Sequence, residues 1–237
     1  MNNLSDLSIL CKVNALHLSD DQLVELTDYV NLLLRWNKDL NLVSRKDESN
    51  IWVAHILHSL SLVSRVVLPQ GCNVLDLGTG GGLPGVPIAI MRPDLRVTLL
   101  DSVRKKTEAL KEIVSRLGTS NVAISWGRAG ELKLKDLPSA GFDVVLARAV
   151  APLKDLIKWS LTLVRRGASP ELVAATISTG VSFRTPFLVA MKGGPLEEEL
   201  QTARMRYKDK KFSVLDLCIK GVSETELVDK KLLVVEL

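Results

Sequence analysis

The sequence predicts an α/β protein in which a mostly parallel, doubly wound sheet follows a helical N-terminal extension. Three observations predict it. From Asn73 onward, short apolar runs alternate with helix-like segments, the order that builds parallel β-α-β units. Asn73 to Asp101 reads as one such unit around a glycine-rich turn. The residues before it read as helical and carry no strand pattern. The expected division is a helical extension over 1–70 and a sheet domain over 71–237, with 167–186 as an atypical insertion.

The extension comes first. Ser19 followed by Gln22 is a capping box, and Leu23, Leu26, Val30, Leu33 and Leu34 continue an apolar stripe at helical spacing. Asn37 and Asn41 interrupt that stripe, since asparagine side chains favour turns and local backbone bonds. Ile51 to Val67 resumes a helix. His55 and His58 stand at i and i+3 on it and face roughly the same way. No further ligand pattern accompanies them, so packing and hydrogen bonding are expected there, and no metal.

The central unit begins at Val74-Leu75-Asp76-Leu77, a short buried strand. Gly78, Gly80, Gly81 and Gly82 then give a turn without Cβ atoms, which lets a ligand approach the backbone. A helix is expected near Leu83, with Pro84 in its first turn. It ends around Arg92-Pro93, and a second strand closes on Asp101. Two cofactor registers fit. Gly80-x-Gly82-x-x-Gly85, with Asp101 downstream, matches the dinucleotide fingerprint. Asp76-x-Gly78-x-Gly80-x-Gly82 instead places an acid before the glycines. That arrangement repels a pyrophosphate but accepts from an ammonium, and so favours S-adenosylmethionine (AdoMet).

The later elements follow in alternation. A helix from Arg104 to Leu117 stops at Gly118. Strands are expected at Asn121–Ser125, Phe142–Leu146 and Phe187–Met191, with helices ending near Val164 and spanning Glu197 to Met205. Phe212–Cys218 and Lys231–Val235 read as a closing antiparallel hairpin. The connection from Gly167 to Pro186 is long for a compact domain and is expected to hold a short helix from Pro170. Asp76, Asp101, Arg128, Arg148 and Lys192 all fall at strand C-terminal ends, where sheets of this kind bind ligands.

Composition narrows the class. With 46% hydrophobic and 24% charged residues, the 237-residue chain can bury one substantial core. No apolar run reaches 18 residues, which argues against a transmembrane helix. The start of the chain lacks a signal or transit pattern. Cys11, Cys72 and Cys218 are widely spaced and suggest reduced, buried thiols. The net charge of +4 is compatible with nucleic acid. Its basic residues cluster at Arg104-Lys105-Lys106, Arg165-Arg166 and Arg204 to Lys211.

Taken together, Arg35-Trp36-Asn37-Lys38, Asn41-Leu42-Val43-Ser44, His55 to Ser59, Asp76 to Gly85, Leu100-Asp101-Ser102, Arg128-Ala129, Ala147-Arg148-Ala149 and Lys192-Gly193 resemble the ribosomal RNA small subunit methyltransferase G family, also called glucose-inhibited division protein B. The resemblance implies a class I AdoMet-dependent methyltransferase: a Rossmann-like, mostly parallel seven-stranded sheet, a C-terminal antiparallel hairpin and an N-terminal helical extension. It implies AdoMet as cofactor and methylation of a guanine N7 in 16S rRNA, in the decoding-region 530 loop. Cofactor contacts are implied for Asp76, Gly78, Thr79, Gly80, Gly82, Leu83, Asp101, Ser102, Arg128, Ala129 and Arg148. Lys105, Lys106, Arg128, Arg148 and Lys192 are implied to meet RNA, and Arg148 and Lys192 to act in catalysis. Asn37, Asn41 and His55 match the signature facing the cofactor cleft. A monomer is implied, acting on the small subunit or its assembly intermediate in a bacterial-type cytoplasm, or in an organelle if the gene is eukaryotic.

The chain departs from the family pattern at His58, usually Asp, at Gly130, usually an acid that Glu131 would replace, and in the long 167–186 connection. Guanine N7 carries an in-plane lone pair and needs no general base, so catalysis would rest on alignment. Other readings are an AdoMet enzyme for another RNA or a small molecule, an NAD(P) reductase, and an inactive RNA-binding homologue.

Overall fold

A computed structural model describes residues 4–165, 173–175, 181–217, 219–222 and 229–237. The N-terminal part holds α1 (Leu4–Val13), α2 (Asp20–Asn37), a 3-10 segment (Arg45–Asn50), a π-wound turn (Trp52–Leu57) and α3 (His58–Arg65). Both bonds of the capping box that starts α2 are present, between the Ser19 side chain and Gln22 N and between Ser19 N and the Gln22 side chain. The single helix expected over Ile51–Val67 is instead wound in two ways. In the π turn the His55 carbonyl accepts from Ser59 Oγ at 2.7 Å and from Arg148, competition that loosens α-helical pairing there.

The sheet domain runs β1 (Asn73–Leu77), α4 (Gly85–Met91), β2 (Arg96–Asp101), α5 (Arg104–Leu117), β3 (Val122–Trp126), β4 (Val144–Arg148) and α6 (Leu153–Leu163). It continues with β5 (Val173–Ala175), β6 (Ser182–Arg184), β7 (Phe187–Gly193), α7 (Glu197–Arg206), β8 (Phe212–Asp216) and β9 (Lys230–Glu236). Seven strands form one sheet in the order β3-β2-β1-β4-β7-β9-β8. Every pairing is parallel except β7 with β9 and β9 with β8, the antiparallel closing pair. The order reverses between β1 and β4, which opens a crevice above their C-terminal ends.

Side chains alternate across the strands, and both faces are covered. Val74, Val97, Leu99, Val144 and Leu146 pack with the N-terminal helices, α4 and α5. Leu75, Leu100, Val145 and Ala147 pack with α6 and α7. Leu26, Tyr29, Val30 and Leu33 of α2 share a buried cluster with Leu110 and Ile113 of α5, so the extension packs directly on one sheet face.

Four expectations need correction. β3 begins and ends one residue later than expected. β4 starts at Val144 because Phe142 forms only an isolated bridge to Val164, so the strand runs on to include Arg148. β8 ends at Asp216, and Cys218 lies outside the described residues. The helix expected from Pro170 has its start outside them too, while Val173–Ala175 pairs antiparallel with Ser182–Arg184. That second strand is pinned by Phe183, 1% exposed, whose ring lies 6.1 Å from that of Phe187.

Candidate active site

A cleft of about 700 Å3 opens where the strand order reverses. Its floor is the turn after β1. Gly78 N and Thr79 N donate to the Leu100 carbonyl at 2.8 and 3.0 Å, tying the turn to the end of β2. Gly80 N donates to Asp101 Oδ2 at 2.8 Å, and Val103 N donates to Oδ1 of the same carboxylate, also at 2.8 Å. Gly78, Gly80 and Gly82 all have positive φ, which disfavours other residues there. Gly85 is required for space: a Cβ would lie 2.4 Å from Leu99 Cδ2 and 2.7 Å from Asp76 Oδ2.

Asp76 sits beneath this turn, fully buried, and does not line the cleft. Its Oδ2 accepts from Thr79 Oγ1 at 2.5 Å and from Gly85 N at 2.9 Å, while its buried Oδ1 has no partner among the described residues. Burial pushes its pKa up to about 6, against the opposing pull of the Thr79 and Gly85 bonds.

The wall opposite comes from the extension. Tyr29 OH donates to Gly81 O at 2.8 Å, and Asn37 Oδ1 accepts from Leu42 N and Val43 N at 2.8 and 2.9 Å. These bonds hold Leu42, Val43 and Ser44 along the cleft beside the glycine turn. Asn37 thus acts through backbone shape.

Arg148 enters from the end of β4. One guanidinium nitrogen meets His55 Nδ1 in a short contact, and the other lies 3.4 Å from both His55 O and Ser59 Oγ. On the far side of the imidazole, His55 Nε2 is 3.4 Å from Asp47 Oδ2. Since arginine can only donate, Nδ1 must accept, and His55 is neutral with its proton on Nε2. Burial and then the neighbouring Arg148 charge lower its pKa to about 4, with Asp47 opposing. The same causes, with Lys230 and His55 adding to them, lower that of His58 to about 3.

Of the residues singled out from sequence, Gly78, Thr79, Gly80, Leu83, Asp101, Lys106, Arg148 and Lys192 line the cleft. Lys192 is tethered: Nζ donates to Ala151 O at 2.7 Å and Glu199 Oε1 at 2.8 Å, leaving the side chain 14% exposed. Gly82 lies behind the turn, where a Cβ would meet Val86, Leu110 and Tyr29. Ser102 is exposed, with its carbonyl accepting from Trp126 Nε1. Arg128 points to solvent with its side chain 75% exposed, 3.8 Å from Glu131 Oε1. Ala129 packs against the α6 side of the core, and Lys105 is exposed on α5. Gly130 has a steric reason, since a Cβ there would lie 2.9 Å from Trp159 Nε1. Among the described residues no group of three or more His, Cys, Asp and Glu could hold a metal ion.

Sequence reasoning missed Tyr29, Asp47, Glu199 and Lys230. Tyr29 lies among the apolar residues of α2, and the one available signal was that a buried phenol needs a partner. Lys230 had no signal, because only the β7–β9 pairing brings it to the cleft.

The family model for rRNA small subunit methyltransferase G matches residues 22–173. A relative of that name from Bacteroides fragilis is 38% identical over 182 residues, 77% of this chain and 80% of the relative. One from Chlorobaculum tepidum is 38% identical over 202 residues, covering 85% and 82%. A solved structure described as MtNAS in complex with MTA and tNA superposes with a TM-score of 0.54 over 97% of this chain and 75% of its own, at 12% identity, a likeness of fold alone. With a family model spanning the extension, the glycine turn and Arg148, and relatives sharing more than a third of their aligned residues, the chain belongs to the rRNA small subunit methyltransferase G family.

Proposed function

We propose that this protein transfers the methyl group of AdoMet to N7 of a guanine in 16S rRNA, in the decoding-region hairpin. The observation that carries the reading is Arg148, a guanidinium set in the cleft between the glycine turn and the His55–Ser59 face, with N–H groups to spare. Five donors are available and its contacts with His55 and Ser59 engage only part of them. The remainder suits the O6 that lies beside N7 on the guanine edge, the edge that basic side chains bind.

The cleft fits the cofactor. Gly78 and Gly80 leave the backbone open to close approach, and Asp101 keeps lone pairs beyond its two amide bonds for ribose hydroxyls. Thr79 and Leu83 border the methionine end in this reading. Ser102 follows Asp101 at the ribose end in the same reading, and Arg128 and Ala129, just past β3, would sit near the adenine. AdoMet supplies an electrophilic methyl group when bound. The chain's own residues supply alignment, which suffices because N7 needs no deprotonation. His55 fixes the Arg148 fork, Asn37 and Tyr29 fix the two walls, and the neutral histidines avoid adding charge against the incoming base. Lys105 and Lys106 on α5 lie where they would meet RNA phosphates. The chain would act as a monomer on the small subunit or its assembly intermediate, in a bacterial-type cytoplasm.

The test uses small subunits from a strain lacking the native enzyme, incubated with this protein and methyl-labelled AdoMet. Cleavage at 7-methylguanosine should map label to one guanine of the decoding-region hairpin. Arg148→Ala should lower the rate by about 10- to 100-fold, the cost of losing a hydrogen bond from a charged donor that aligns the base. AdoMet binding without any label would overturn the activity.

A further inference from the structure

Lys192 and Lys230 sit one strand apart and are used differently. Lys192 ends β7 with its ammonium already held by Glu199 and the Ala151 carbonyl. Lys230 begins β9 and pairs with Gly193, the next residue along β7. Gly193 lacks the side chain that would stand in its way: a Cβ there would lie 3.1 Å from Lys230 Nζ and 3.2 Å from its Cδ. The Lys230 stem therefore runs across Gly193 and reaches the cleft, near enough to His58 for its charge to disfavour protonation there. No hydrogen bond or ion pair links its ammonium to another described residue.

Arg148 is similarly engaged with His55 and Ser59. The cleft-lining cations without a protein partner among the described residues are thus Lys230 and Lys106. Lys106 lies in the first turn of α5, just after β2. β2 and β9 are four inter-strand spacings apart, about 19 Å, so the two ammonium groups flank the cleft from opposite sides.

We propose that Lys230 is a phosphate-binding residue for the RNA substrate, contacting the strand on the side of the target nucleotide away from Lys106. It does the work that sequence assigns to Lys192, whose charge is spent within the protein. The inference rests on the RNA-directed reading above. A phosphate is the favoured occupant because a half-buried ammonium at a cleft mouth, without a partner among the described residues, gains most from a dense anion.

The experiment measures binding of the full chain with AdoMet to a naked 16S rRNA fragment carrying the decoding-region hairpin, across a salt series. Lys230→Gln should remove close to one phosphate contact. The rise in Kd between about 50 and 200 mM salt should then be about threefold smaller than in wild type. Lys230→Arg should restore the wild-type slope, and AdoMet Kd should not change in either variant. Equal salt slopes for wild type and Lys230→Gln would overturn the proposal. So would a variant that methylates intact subunits poorly yet binds naked RNA with a wild-type slope, which would point to a ribosomal protein as the contact. A wild-type chain that binds AdoMet but not this RNA would instead sink the parent reading.

Discussion

Replacing Asp76 by Asn isolates the effect of one buried carboxyl group on stability. The side chain is fully buried, and only one of its two oxygens is hydrogen-bonded. Burial raises its pKa from 3.8 to about 6. A gap of about 2 in pKa corresponds to about 3 kcal/mol of preference for the protonated form in the folded state. Because the folded value lies above the unfolded one, that stabilisation is present in full below about pH 4 and is lost as pH rises through about 6. Asparagine keeps an oxygen for Thr79 and Gly85 and does not titrate. Urea unfolding of both proteins between about pH 4 and 7.5 should therefore show wild type losing about 2–2.5 kcal/mol relative to Asp76→Asn. Taking the difference cancels the other carboxylates. A stability difference that stays flat across this window would refute the argument and mean that Asp76 is ionised throughout, its free oxygen solvated.

Two further substitutions test the walls of the cleft. Tyr29→Phe leaves the buried Gly81 carbonyl without its donor and should cost about 1–3 kcal/mol in urea unfolding, with weaker AdoMet binding by calorimetry. His55→Asn retains an acceptor close to the Nδ1 position, whereas His55→Gln does not. Steady-state methyl transfer should fall about tenfold or more in the Gln variant, the effect of a lost bond to a charged group, and only a few-fold in the Asn variant. Nitrogen NMR of the wild type should find the His55 proton on Nε2.

The long-range partnerships were not legible before folding. Glu199 and Lys192 lie on adjacent elements, but nothing in their spacing says that the ammonium is held by α7. His55 and His58 read correctly as polar residues on an apolar helix face, yet the π-wound turn that aims the His55 carbonyl and ring at Arg148 depends on β4 arriving above it. Gly130, a departure from the family pattern, is explained only when Trp159 is seen packed against it.

By itself the sequence determined the alternating α/β order, the helical extension, the glycine turn with acids at the ends of β1 and β2, and the helix caps at Ser19 and Gly118. Each is encoded within a few residues, as hydrophobic period, turn chemistry or capping, and so survives without tertiary context. Only the tertiary structure decided that Asp76 braces the turn from below, that Tyr29 fastens the extension to it, and that Lys192 is tethered to Glu199 while Lys230 reaches the cleft. Those outcomes depend on burial and on the register of antiparallel pairing. Both are set by segments far apart in the chain, and shifting the pairing by one residue would turn Lys230 to the opposite face of the sheet.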